Sequence, residues 1–211
     1  MMSYTGKDLF DEKSLGGIFL KSVLRLSRSL FNTVTTCAVL GLLALHALYF
    51  DNKLSSLTGI VRSIADVGLS FGSSILGFLI AGFTIFATLT KPSLFIMMYK
   101  NVHPKSKLNY LKHNFFAFIE VFVVYLVFLG GCLLIKIFGG PDAALLQFLK
   151  FLACRTNSEL HILKEIVIKG TYIIMGTFLY YSIVSLKSFV FNIYHIVITS
   201  IVWEMNPPEN Q

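Results

Sequence analysis

The chain has 211 residues, of which 55% are hydrophobic and only 14% charged, with 20 Phe and 9 Tyr. Soluble domains carry about 25% charged residues, so this composition argues against an ordinary soluble enzyme and for lipid surroundings. The net charge of +7 does not call for nucleic acid, because basic residues beside membrane spans follow from topology and anionic lipid.

Residues 1–30 read as a cytoplasmic N-terminal segment. The first thirteen residues are polar and mixed in charge. From Leu15 to Leu30 a helical pattern begins, with Lys21, Arg25 and Arg28 on one face and Phe19, Val23, Leu26 and Leu30 on another. This is either an amphipathic helix in the inner interface or a simple run-in to the first span.

Residues 31–203 form a transmembrane domain with expected spans at about 31–50, 67–90, 114–135 and 170–190. The first two carry no formal charge, and the third is interrupted only by Glu120. Crossing about 30 Å of hydrocarbon takes about 20 apolar residues, and lipid-facing backbone must satisfy its own hydrogen bonds, which selects helix. The last apolar run continues to residue 203, interrupted by Lys187. Lys187 then marks the interface, and the helix beyond it projects into the cytoplasm. Along that projection Ser185, Ser188, Asn192, His195 and Thr199 fall at steps of three and four, one polar stripe. Residues 204–211 form a tail with Pro207 and Pro208. The expected fold is thus an all-α integral membrane protein of four spans.

The connections set orientation. Lys7, Lys13, Lys21, Arg25 and Arg28 precede the first span, and Lys91, Lys100, Lys105, Lys107 and Lys112 lie between the second and third. Only Lys53 and Arg62 separate the first two spans, so both termini and the middle loop are expected in the cytoplasm. The first span reads as a retained anchor rather than a cleaved signal. The third connection opens with Gly139, Gly140 and Pro141, which break the helix, continues as a short apolar stretch over 143–153, and is polar over 155–169.

Motifs for catalysis are missing. Gly72 and Gly77 have phosphate-loop spacing, but Phe78 and Leu79 stand where Lys and Ser or Thr are needed. His161 and Glu165 read as a solvated pair, and neither metal nor cofactor is expected. The second span is more informative: Ser70, Ser74, Gly77, Ala81, Thr84 and Thr88 recur at steps of four and three. Such a seam serves packing within the chain, self-association, or a hydroxyl-lined pore. Glu120 inside a span points to an ion pair or protonated carboxyl with Lys112, His113 or Lys187 nearby, or to a gating role. Cys132 and Cys154 are a candidate disulfide in an oxidising periplasm or, alternatively, two unpaired thiols, with Cys37 inside the first span.

The second span reads Ser-Ser-Ile-Leu-Gly-Phe-Leu-Ile-Ala-Gly-Phe-Thr-Ile-Phe-Ala-Thr from Ser73 to Thr88. With four short spans and a basic middle loop, it resembles small membrane subunits of bacterial anti-phage defence systems, the Kiwa-type membrane subunit and retron-associated membrane effectors. The resemblance implies a homo-oligomer in the bacterial inner membrane, bound to a cytosolic protein partner. The expected function is a non-enzymatic sensor or scaffold; the alternative is a pore-forming effector that depolarises the membrane.

Overall fold

A computed structural model describes residues 14–25, 29–50, 53–89, 91–104, 106–140, 144–156 and 159–205. Among these it contains seven helices: α1 (Leu15–Arg25), α2 (Leu30–Tyr49), α3 (Leu54–Leu89), α4 (Pro92–Lys100), α5 (Tyr110–Phe138), α6 (Ala144–Thr156) and α7 (Leu160–Met205). The described residues contain no strand, only an isolated bridge between Val102 and Asn109. Helices α2, α3, α5 and α7 are long and apolar enough to cross a membrane, the layout of a multi-pass membrane protein. Residues 1–13, Lys105, Pro141 of the expected break and the tail from residue 206 lie outside the described residues.

Three elements depart from the sequence reading. Helix α3 starts at Leu54, not at residue 67, and the charged side chains that shorten its apolar run find polar partners. Arg62 Nη2 donates to the Gly139 carbonyl at 2.8 Å, and Asp66 pairs with Lys136. The stretch 155–169 is mostly helical: α7 starts at Leu160 and runs unbroken for 46 residues, roughly 69 Å at 1.5 Å per residue. The basic middle connection contains α4. Its start is local chemistry: Lys91 precedes Pro92 and takes the extended conformation proline imposes (φ −63°, ψ 142°), and Pro92 occupies the first turn, where its missing N–H costs nothing.

The described residues divide into two compact units. One is built from Ser29–Gly77 and Val124–Val184. Along α3 it buries Leu57, Val61, Ala65, Gly68 and Gly72, spaced by four, four, three and four residues. Ala47, Leu57, Val61 and Tyr172 form one apolar cluster, and Ala65, Phe128, Cys132 and Met175 form another. Gly68 permits the second: a Cβ there would lie 2.5 Å from Cys132 Sγ and 2.9 Å from the Phe128 ring. Helices in lipid gain little from hydrophobicity between them, so close backbone approach is what holds them. Tyr125, fully buried, donates its hydroxyl to the Ser182 carbonyl at 3.0 Å. Helix α2 joins this unit through Ala47 and Leu43, and through a 3.2 Å contact of His46 Nδ1 with the Tyr172 hydroxyl.

The other unit includes α1, Phe78–Val123 and α7 from Ser185. Rings fill it. Phe86 stacks on Phe118 at 5.3 Å and meets Phe95 edge-on at 5.7 Å, while Phe118 meets Phe189 edge-on at 5.1 Å. Leu94, Met98 and Leu111 make a smaller cluster that fixes α4 against the start of α5.

Candidate functional site

The loop joining α4 to α5 is closed by its own backbone. His103 N–H donates to Leu108 O at 2.7 Å, Lys107 N–H to His103 O at 2.9 Å, and Tyr110 N–H to Asn101 O at 3.0 Å. Closing so tightly places Lys107 in the left-handed region (φ 56°). Buried Asn109 caps α5, its Oδ1 accepting the Lys112 N–H at 2.7 Å. The cap presents His113 in the first turn of α5, ahead of the apolar run from residue 114.

His113 stacks on His103 with ring centroids 3.9 Å apart and planes 10° from parallel. Ser106 sits between their nitrogens. Its N–H points at His103 Nδ1 at 3.2 Å, so that nitrogen is an acceptor. The Ser106 hydroxyl therefore donates to His103 Nδ1 at 3.1 Å and accepts from His113 Nδ1–H at 3.0 Å.

Beside this pair lies a cavity of about 470 Å³ lined by His103, His113, His195, Asn101, Asn114, Asn192, Tyr110 and Thr199. Asn192, His195 and Thr199 belong to the polar stripe that α7 shows in sequence. Asn101 donates its amide to Met97 O at 2.9 Å. The amides of Asn114 and Asn192 and the ring nitrogens of His195 are uncommitted among the described residues, so they can hydrogen-bond a guest. No known family, characterised protein or solved structure matches this chain. Its own geometry assigns the cavity a role: it can hold a polar group by hydrogen bonds. No group of three His, Cys, Asp or Glu side chains among the described residues is placed to bind a metal. Ser106 with its two imidazoles is the nearest approach to a nucleophile and base. Ser106 is buried, and its hydroxyl lies 3.1 Å from His103 Nδ1 and 3.0 Å from His113 Nδ1. The trio fastens the loop.

The residues singled out in sequence scatter. Ser70, Ser74, Gly77, Ala81, Thr84 and Thr88 are all exposed. At 3.6 residues per turn they centre about 180° around α3 from Leu57, Val61, Ala65, Leu79 and Phe86, so among the described residues the seam is not used for packing. Its hydroxyls serve their own helix: Ser74 donates to Ser70 O, Thr84 to Ile80 O and Thr88 to Thr84 O, all at 2.9 Å. Glu120 is half-buried and Lys187 exposed, and neither lacks a partner. The Cys132–Cys154 bridge is not formed. Both thiols are free, because Cys132 turns inward against Gly68 and Phe128 whereas Cys154 is exposed on α6. Cys37 is also free and exposed. Sequence reasoning missed His103 and Ser106, for which spacing gave no signal, and took His113 only as a neighbour of Glu120.

Proposed function

We propose that the chain is a non-enzymatic subunit of the bacterial inner membrane, with both termini cytoplasmic. It self-associates along α3 and acts as sensor or scaffold for a cytosolic protein partner in anti-phage defence. The observation that carries the reading is the placement of the small residues. A stripe of Ser, Gly, Ala and Thr that faces outward for much of α3 packs against nothing among the described residues. In lipid such a stripe favours close approach of another helix, and a second copy offers the matching surface. The polar cavity supports the sensing half of the proposal, since its free amides and imidazole can read a partner's polar group. The basic connections that frame it support the cytoplasmic placement. A hydroxyl-lined pore has less support, because Ser74, Thr84 and Thr88 direct their protons into their own helix.

The test uses the full chain with Gly77→Leu and Ala81→Leu together. A Cβ at Gly77 meets nothing within 4 Å, so the protomer tolerates the bulk. Membrane insertion is expected to stay normal while the oligomer on a native gel falls to a monomer. An oligomer of unchanged size overturns self-association through α3. A membrane-potential dye read after induced expression separates the two functions, since depolarisation by the chain alone establishes the pore.

A further inference from the structure

Within the unit built from 29–77 and 124–184 lies a second cavity, of about 640 Å³, between α3, α5, α6 and α7. Its walls are apolar, with Val61, Leu134, Leu149 and Ile168 among them. Two cations also line it, Arg62 and Lys164, and no carboxylate does among the described residues. The carboxylates nearest in sequence are engaged elsewhere: Asp66 with Lys136, and Glu165 with Lys169 at 2.6 Å and His161 at 4.0 Å. Arg62 gives one N–H to Gly139 O and makes no ion pair among the described residues, which leaves most of its five donors uncommitted. Lys164 makes neither a hydrogen bond nor an ion pair among them.

An uncharged guest would leave two cations unpaired beside apolar walls, which is unfavourable. A small free anion would pair with the cations and leave the apolar walls empty. An amphiphile with an anionic head satisfies both. In sequence Arg62 and Lys164 also fall just before the apolar runs 67–90 and 170–190, a position where basic side chains commonly meet anionic headgroups. The cavity volume falls in the range of about 300–1,000 Å³ usual for small-ligand sites.

We propose that this cavity binds an anionic phospholipid, its phosphate held by Arg62 and Lys164 and part of an acyl chain lying against Val61, Leu134, Leu149 and Ile168. The site requires neither self-association nor a protein partner. It is a lipid site of the single protomer.

Native mass spectrometry of the full chain in detergent tests it, with phosphatidylglycerol and phosphatidylcholine of identical acyl chains titrated separately. Charge-assisted hydrogen bonds to a phosphate predict at least about tenfold tighter binding of phosphatidylglycerol. Lys164→Gln is the clean variant, since it breaks no bond among the described residues, and it is expected to bring the two lipids close to parity. Val167→Phe narrows the cavity and is expected to weaken both. Equal binding of the two lipids by the unmodified chain overturns the proposal, as does a preference unchanged in Lys164→Gln. Lipid binding unaffected by Val167→Phe overturns the acyl placement. Millimolar inorganic phosphate should leave the phosphatidylglycerol adduct intact, and displacement by phosphate alone identifies a free-phosphate site instead.

Discussion

The unit formed by 29–77 and 124–184 and the unit formed by 78–123 and 185–205 solve the same packing problem with different materials. In the former, Gly68 and Gly72 let α3 approach α5 until Phe128, Leu129 and Cys132 touch the glycine backbone. In the latter, Phe86, Phe95, Phe115, Phe118 and Phe189 pack ring against ring. Their cavities differ in the same way, apolar with two cations in one, lined by amides and imidazoles in the other. Close approach through glycine tolerates no added atom, whereas a ring cluster adapts. Polar groups appear where the backbone leaves the helix and must be tied down.

The largest effect expected from this contrast is at Gly68. Gly68→Leu drives carbon into Cys132 and Phe128, and overpacking should cost about 3 kcal/mol. Thermal unfolding of the detergent-solubilised chain should show a large loss, whereas Gly77→Leu, the same change on the open face, should leave protomer stability unchanged. Equal losses from the two would erase the distinction between buried and outward faces of α3.

Second is the loop lock. Ser106→Ala strips His113 Nδ1–H of its acceptor and should cost about 2 kcal/mol. Faster tryptic cleavage after Lys107 reads it out. Cleavage as slow as in the unmodified chain would show that the Ser106 hydroxyl is not what holds the loop.

Much of the layout was legible in sequence, because long uncharged runs admit no other structure in lipid. Legibility ended where charged side chains find their partners far along the chain. Arg62 and Asp66 made the start of α3 look like a loop, and only Gly139 and Lys136, far along the chain, make it a helix. Helix α4 is not read in sequence, because the lysines mark its segment only as a basic connection, although Leu94 and Met98 bury. The α7 stripe was legible by its period. Its counterpart on the loop was not, since a single left-handed residue and backbone closure bring His103 to His113. Sequence leaves Cys132 and Cys154 open between a bridge and two free thiols, because spacing carries no information about which way Cys132 points.

Smaller effects sharpen the contrast further. Tyr125→Phe removes the buried bond to the Ser182 carbonyl and should cost about 1 kcal/mol of thermal stability. Lys107→Gly should instead stabilise the loop by about 0.5 kcal/mol, relieving a left-handed side chain against the added entropy of glycine. Slower tryptic cleavage at sites in the loop other than residue 107 would register the gain.

The bond from Arg62 to the Gly139 carbonyl spans 77 residues of chain. During synthesis at about 5–20 residues per second, Arg62 leaves the ribosome roughly 4–15 s before its acceptor exists. Asp66 waits almost as long for Lys136. For that interval Arg62 and Asp66 have only each other, one turn apart on α3. The final contacts of α3 are thus a late event of synthesis, timed by the arrival of α5.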